Sequence, residues 1–148
     1  MKKLEENIIV VKTLRFALDI IRFTERLEEQ KKYLVARQIL KSGTSIGANV
    51  RESQNAESRA DFVHKLKVAA KEADETDYWL TLCNCSENYP YEEFLHQNLN
   101  EIQKILNRII TTSRTSIIKQ TPLWEHYKFV ISKFVISKLA HSFHAIST

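Results

Sequence analysis

The segment SRADFVHKLKVAAKEADETDYWLTLC, residues 58–83, decides the fold because its apolar positions return every three or four residues. These positions are Phe62, Leu66, Ala69, Ala73, Thr76, Leu80 and Cys83. Such spacing draws one apolar stripe along an α-helix and follows the 3.5-residue period of packed helices. Ser58 followed by Asp61 is typical of a capping box, in which side chains satisfy the free N–H groups at a helix start. The sequence therefore predicts a long helix here with one buried face.

Two further segments show the same rhythm. Within residues 32–55 the repeating positions are Ala36, Ile39, Gly43, Ile46 and Val50. In the segment that ends near residue 116 they are Leu95, Leu99, Ile102, Leu106 and Ile109. Both patterns predict amphipathic helices that turn these stripes towards a shared core.

A fourth amphipathic helix is predicted over residues 5–30. We assign its apolar stripe to positions that follow one another at intervals of four and three residues: Val10, Leu14, Ala17, Ile21 and Thr24. We expect this stripe to face the core.

Four such helices joined by short loops predict an all-α, antiparallel up-down four-helix bundle. The 148 residues suit one domain, and 2 Gly and 2 Pro are too few turn formers for a many-stranded β protein. We assign the bundle to residues 1–118 and an additional C-terminal tail or helix to residues 119–148.

The tail contains a tandem duplication, KFVIS at 128–132 and again at 133–137. If it is helical, one broad face carries Tyr127, Val130, Ile131, Phe134 and Leu139. That face suits a membrane surface or a partner groove. An extra helix packed on the bundle, or a poorly ordered appendage, is the plainer alternative and the one we favour.

The charge of the chain is uneven, although its formal net value is +4. Residues 1–67 carry a net +5, residues 68–103 a net −7 and residues 104–148 a net +6. Only a local basic surface, and not the total charge, is therefore relevant to nucleic-acid binding.

The chain lacks the common catalytic and metal-binding motifs, including a Gly-rich phosphate loop, a nucleophile elbow and His-Glu-x-x-His. Cys83 and Cys85 are separated by one residue, which fits neither a zinc site nor an internal disulfide. We expect no enzyme activity, no cofactor, no metal and no small-molecule substrate. No window resembles a membrane span or a signal peptide, which predicts a cytoplasmic protein.

The second helix carries an unusual strip of small residues, with Gly43 and Gly47 four positions apart. Each glycine costs a helix about 1 kcal/mol relative to alanine, so another helix is expected to approach closely here. Ser45, Asn49 and Glu52 are predicted to form a polar ladder across that contact. Two interpretations stay open: packing within one bundle, or a subunit interface.

Basic residues on the first helix recur at steps of three, seven and four, at Lys12, Arg15, Arg22 and Arg26. They form one stripe, which is a candidate surface for the phosphates of a nucleic acid. The alternative is a solvated face with ion pairs along the helix.

Several stretches of this sequence resemble one protein family closely. They are SGTSIGANVRE (42–52), SRADF (58–62), KLKVA (65–69), KEA (71–73) and ETDYWL (75–80). The family is that of the four-helix-bundle proteins encoded within intervening sequences of bacterial 23S ribosomal RNA genes, and the resemblance spans roughly residues 8–118. It implies a left-handed bundle that assembles as a homopentamer. The family is also similar to the accessory variability proteins of diversity-generating retroelements, which are basic pentamers that bind nucleic acid and a reverse transcriptase.

Two functions are compatible with these observations. The first is a non-enzymatic homo-oligomer that binds structured RNA or a nucleoprotein through the stripe on the first helix. The alternative is a structural or protein-interaction scaffold that binds no nucleic acid.

Overall fold

The computed structural model describes residues 7–115 and forms four α-helices in that part of the chain. They are α1 (Ile8–Glu29), α2 (Tyr33–Ser53), α3 (Arg59–Cys85) and α4 (Glu93–Thr115). Residues 7–115 contain no strand, so the all-α prediction is confirmed for this part. The predicted tail, residues 119–148, and its boundary at 118 lie outside the described residues.

Local chemistry explains where the helices start and stop. Ser58 Oγ accepts a hydrogen bond from the Asp61 backbone N–H at 3.1 Å, and Asp61 Oδ2 accepts one from the Glu57 N–H at 3.3 Å. This is the predicted cap of α3. At the end of α1, Lys31 adopts φ 61°, and the Lys32 N–H returns to the carbonyl of Leu27 at 2.8 Å. A left-handed residue with a returning N–H is a common way to end a helix.

The contacts between helices are compatible with the predicted antiparallel order. α1 packs against α2 and α4, and α3 packs against the same two helices. Asn7 Nδ2, at the start of α1, donates to Gln54 Oε1, at the end of α2, at 2.8 Å. Arg59, at the start of α3, donates to the Ser113 carbonyl in the last turn of α4. Each contact joins the start of one helix to the end of its neighbour.

The predicted core stripes of α2, α3 and α4 are confirmed, because every residue named for them is buried. One buried polar contact crosses the core between α2 and α3. The hydroxyls of Thr76 and Ser42 lie 2.9 Å apart, and both residues are fully buried. Each hydroxyl also lies within hydrogen-bond distance of a carbonyl on its own helix, so the pair is satisfied without water.

The predicted core stripe of α1 is wrong. Leu14 is 56% exposed and Ile21 is 39% exposed, although Val10 and Thr24 are buried. The buried row lies one position earlier along the helix and consists of Ile9, Thr13, Phe16, Ile20, Phe23 and Leu27. Both rows have the same period, but the buried one holds two phenylalanines and thus more apolar area to remove from water.

Candidate functional site

The predicted basic stripe lies on the outer surface of α1. Arg15 is exposed, and the side chains of Arg22 and Arg26 are 74% and 51% exposed. Lys12 is 35% exposed and lies nearer to α4. By the helical period the three arginines fall within a narrow sector of the helix, so folding leaves them on one side.

Three of the four cations contact carboxylates. Lys12 Nζ lies 2.6 Å from Glu101 Oε2 on α4, and Arg26 contacts Glu92 just before α4. Arg22 pairs with Asp19 on its own helix at 3.3 Å. Ion pairs at a protein surface contribute only about 0–1 kcal/mol each and weaken in salt, so an incoming phosphate can displace them. They nevertheless lower the positive potential of this face.

Arg15 makes no ion pair with any of residues 7–115 and is the cation of the stripe best placed to receive an anion. Arg108 on α4 is exposed and likewise makes no ion pair within this range. It lies seven residues after Glu101, on the face of α4 that reaches Lys12. Sequence analysis missed Arg108, because the neighbour of α1 and its register are not visible in a local pattern.

The two glycines of α2 pack against α1 of the same chain. A Cβ atom at Gly43 would lie 2.9 Å from Cγ1 and Cγ2 of Ile20, and one at Gly47 would lie 3.4 Å from the Thr13 carbonyl oxygen. Because neither glycine has a side chain, α1 and α2 approach each other closely at Gly43 and Gly47. A contact between subunits at the same glycines stays a prediction.

Within residues 7–115, Asn49 and Glu52 do not bridge α1 and α2, and a polar ladder across a contact between subunits stays a prediction. Asn49 Nδ2 donates to the Ser45 carbonyl of its own helix at 2.9 Å. Glu52 Oε2 accepts from Lys65 Nζ of α3 at 2.6 Å, and this hydrogen bond raises the pKa of Lys65. Glu52 therefore joins α2 to α3, and Asn49 stabilises α2 internally.

A small polar cluster joins α3 to α4 and was not identified from the sequence. His96 Nδ1 lies 3.1 Å from the Tyr91 hydroxyl, and His96 Nε2 lies 3.6 Å from Asp77 Oδ1 and 3.4 Å from Thr81 Oγ1. A tyrosine hydroxyl is protonated near neutral pH, and burial, with Glu93 nearby, raises the pKa of Tyr91 further, so this hydroxyl is a poor nucleophile there. The cluster is therefore best described as a helix contact.

The cysteines differ in environment. Cys83 is buried in the core, and burial raises the pKa of its thiol to about 11, whereas Cys85 is exposed. Within residues 7–115 no group of three or more His, Cys, Asp or Glu side chains is arranged to hold a metal ion. No helix of this part of the chain is both long and apolar enough to cross a membrane.

Comparisons with known proteins agree with the resemblance drawn from the sequence. A family model described as 23S rRNA-intervening sequence protein matches residues 5–109. The chain is also similar to a crystal structure of a Bacteroides thetaiotaomicron protein of unknown function from the S23 ribosomal protein family. The two share 47% sequence identity with a TM-score of 0.66, over 69% of this chain and 97% of that chain. No curated protein matches this sequence.

Proposed function

Because the chain belongs to the 23S rRNA-intervening sequence protein family, we propose that it is a non-enzymatic module that binds structured RNA, alone or within a nucleoprotein. The observation that carries this proposal is the row of exposed arginines on α1. Arg15 and Arg22 are seven residues apart, about 10 Å along the helix, so the two side chains can contact different phosphates of one RNA. Guanidinium groups bind phosphate through paired hydrogen bonds.

The assembly that we propose is a homopentamer of antiparallel, left-handed up-down bundles in the cytoplasm. A ring of five copies repeats the α1 arginines five times, so weak individual phosphate contacts combine into a multivalent surface. A repeated surface of this kind does not need a high net charge on each chain, and this chain carries only +4.

A protein scaffold that binds no RNA is the second candidate, and one observation favours it. Three of the four cations of the stripe already form ion pairs, with Glu101, Glu92 and Asp19. A surface whose charges are internally paired attracts phosphates less strongly than its cation count indicates.

The test is binding of the purified full-length protein to a structured RNA hairpin across a salt series. RNA binding through phosphates predicts an affinity that falls linearly with salt in log–log coordinates. The variant Arg15→Glu/Arg22→Glu is expected to lose binding. The matched control Lys41→Glu/Lys71→Glu makes the same change of net charge at exposed sites on α2 and α3 and is expected to keep most of it.

The outcomes separate the two candidates. Equal losses in both variants mean that only overall charge matters and contradict the α1 site. An absence of binding even at low salt contradicts the RNA proposal and favours the scaffold. Light scattering after size-exclusion chromatography measures the mass of the assembly independently, and a single-chain mass contradicts the homopentamer.

A further inference from the structure

An apolar row on the outside of α1 has no partner helix among residues 7–115. Leu14, Leu18 and Ile21 are 56%, 48% and 39% exposed and follow one another at steps of four and three. The core row of α1 points to a different side, towards α2 and α4. The other large exposed apolar side chains are distributed over α2, α3 and α4 and form no comparable row on one helix.

We propose that the C-terminal segment 127–138 of the same chain docks on this α1 row as a fifth helix that runs parallel to α1. Three features of the C-terminal segment fit the α1 row: the spacing of its apolar residues, the charge at its end, and the end of the bundle at which α4 stops. The segment also lies beyond residues 5–109, which match the family model, so it is an addition to the part shared with the family.

The spacing of apolar residues is the same in both segments. Leu14, Leu18 and Ile21 are followed four residues later by Glu25. In the tail the same steps of four, three and four lead through Tyr127, Ile131 and Phe134 to Lys138. Two parallel helices with equal apolar periods keep their rows in contact along their length.

The charges at the end of the two rows are complementary. Glu25 is exposed and makes no ion pair within residues 7–115. In the parallel alignment that pairs Leu14 with Tyr127, Glu25 lies opposite Lys138. An antiparallel alignment instead places Lys138 opposite Leu14, where the adjacent positions of α1, Val11 and Leu18 among them, carry no carboxylate.

The tail also starts at the correct end of the bundle. Lys12 contacts Glu101 and Arg26 contacts Glu92, so residue numbers on α4 fall as those on α1 rise. The chain therefore leaves Thr115 at the end where α1 begins. Leu14 lies about 10 Å from that end, and the eleven residues 116–126 reach up to about 36 Å when extended.

Cysteine cross-linking in the full-length chain tests the proposal. The background variant is Cys85→Ser, and the buried Cys83 stays in place. With Leu18→Cys and Ile131→Cys added, mild oxidation is expected to form a disulfide within one chain at a rate independent of protein concentration. The matched control pairs Leu18→Cys with Lys133→Cys, on the opposite side of the proposed helix. It is expected to oxidise at least about tenfold more slowly, because the two thiols do not face each other.

Two results overturn the proposal. Equal rates for the two pairs show that the segment does not dock on the row in this alignment. A disulfide-linked dimer that forms faster at higher concentration shows that a second copy covers the row instead.

A second measurement does not depend on disulfide geometry. The Leu18→Cys thiol is expected to react with a maleimide about fivefold faster or more when Ile131→Asp/Phe134→Asp removes the apolar contact in the full-length chain. Ser132→Asp, outside the matched row, serves as the control and is expected to leave the rate unchanged. An unchanged rate in the double variant, with helix content by circular dichroism also unchanged, contradicts docking. RNA affinity enters neither readout, so failure here is distinct from failure of the proposed function.

Discussion

Gly43 on α2 and Ile20 on α1 are in such close contact that the backbone of one packs on the branched side chain of the other. A Cβ atom at Gly43 would lie 2.9 Å from both Cγ1 and Cγ2 of Ile20, which is fully buried. These atoms are attached to the branched Cβ of isoleucine, whose χ1 is stiff, so they have little freedom to move aside. The contact determines how closely α1 and α2 approach.

Gly43→Ala is therefore expected to destabilise the protein by about 1–3 kcal/mol, despite a helix-propensity gain of about 1 kcal/mol. Urea unfolding measures the change. Gly47→Ala is the control, since its Cβ would make an ordinary contact at 3.4 Å, and it is expected to be neutral or stabilising. Equal stability of Gly43→Ala and the wild type contradicts the close contact.

Ser58→Ala is expected to lower the free energy of unfolding by about 1 kcal/mol, because it removes the acceptor for the Asp61 N–H at the start of α3. Ser86, at the end of α3, makes no comparable side-chain bond in the described part of the chain, so Ser86→Ala is the matched control. Urea unfolding distinguishes the two. A loss as large in the Ser86 variant argues against a capping effect.

The buried Cys83 thiol predicts a pH dependence of stability. Its pKa is raised from 9.0 to about 11 in the folded state, so between these values the unfolded chain releases a proton that the folded chain keeps. Ionisation of the unfolded state then lowers stability as pH rises from about 9 to 11, with no contribution from this group below that range. Cys83→Ala is expected to show a smaller fall across this window than the wild type.

Lysines and tyrosines titrate in the same pH range, so the effect of Cys83 is the difference in pH dependence between the variant and the wild type. Cys85→Ala serves as the control because that side chain is exposed, and it is expected to keep the wild-type pH profile. Parallel profiles for all three proteins count against the role assigned to Cys83.

The ion pairs of α1 predict that removing their carboxylates strengthens RNA binding. Glu92→Gln/Glu101→Gln frees Arg26 and Lys12. If the two freed cations together add about 1 kcal/mol, affinity rises roughly fivefold at low salt. Glu75→Gln/Glu87→Gln gives the same change of net charge at exposed sites elsewhere and is expected to have a smaller effect. Unchanged affinity in the first variant contradicts phosphate contact at Lys12 and Arg26.

The core rows of α2, α3 and α4 were predictable because each helix has one dominant apolar row. α1 has two rows one position apart, and period alone does not distinguish them. Side-chain size was the available signal, since Phe16 and Phe23 both lie in the row that is buried, and Leu14 and Ile21 in the row that is not. The positions of the basic residues on the outside of α1 were also predictable, because helical spacing is a local property.

The partners of these basic residues were not predictable from the sequence. Lys12 and Glu101 are 89 residues apart in sequence, and their contact depends on which helix lies beside α1 and in what register. The same holds for Glu52, which contacts α3 and not α1. Periodicity is sufficient for the number and approximate extent of the helices, because each helix contains its own hydrogen bonds, and a capping residue marks the start of α3. Packing selects the buried face of α1, the partners of its cations and the apolar row left uncovered, because burial and charge pairing depend on neighbours distant along the chain.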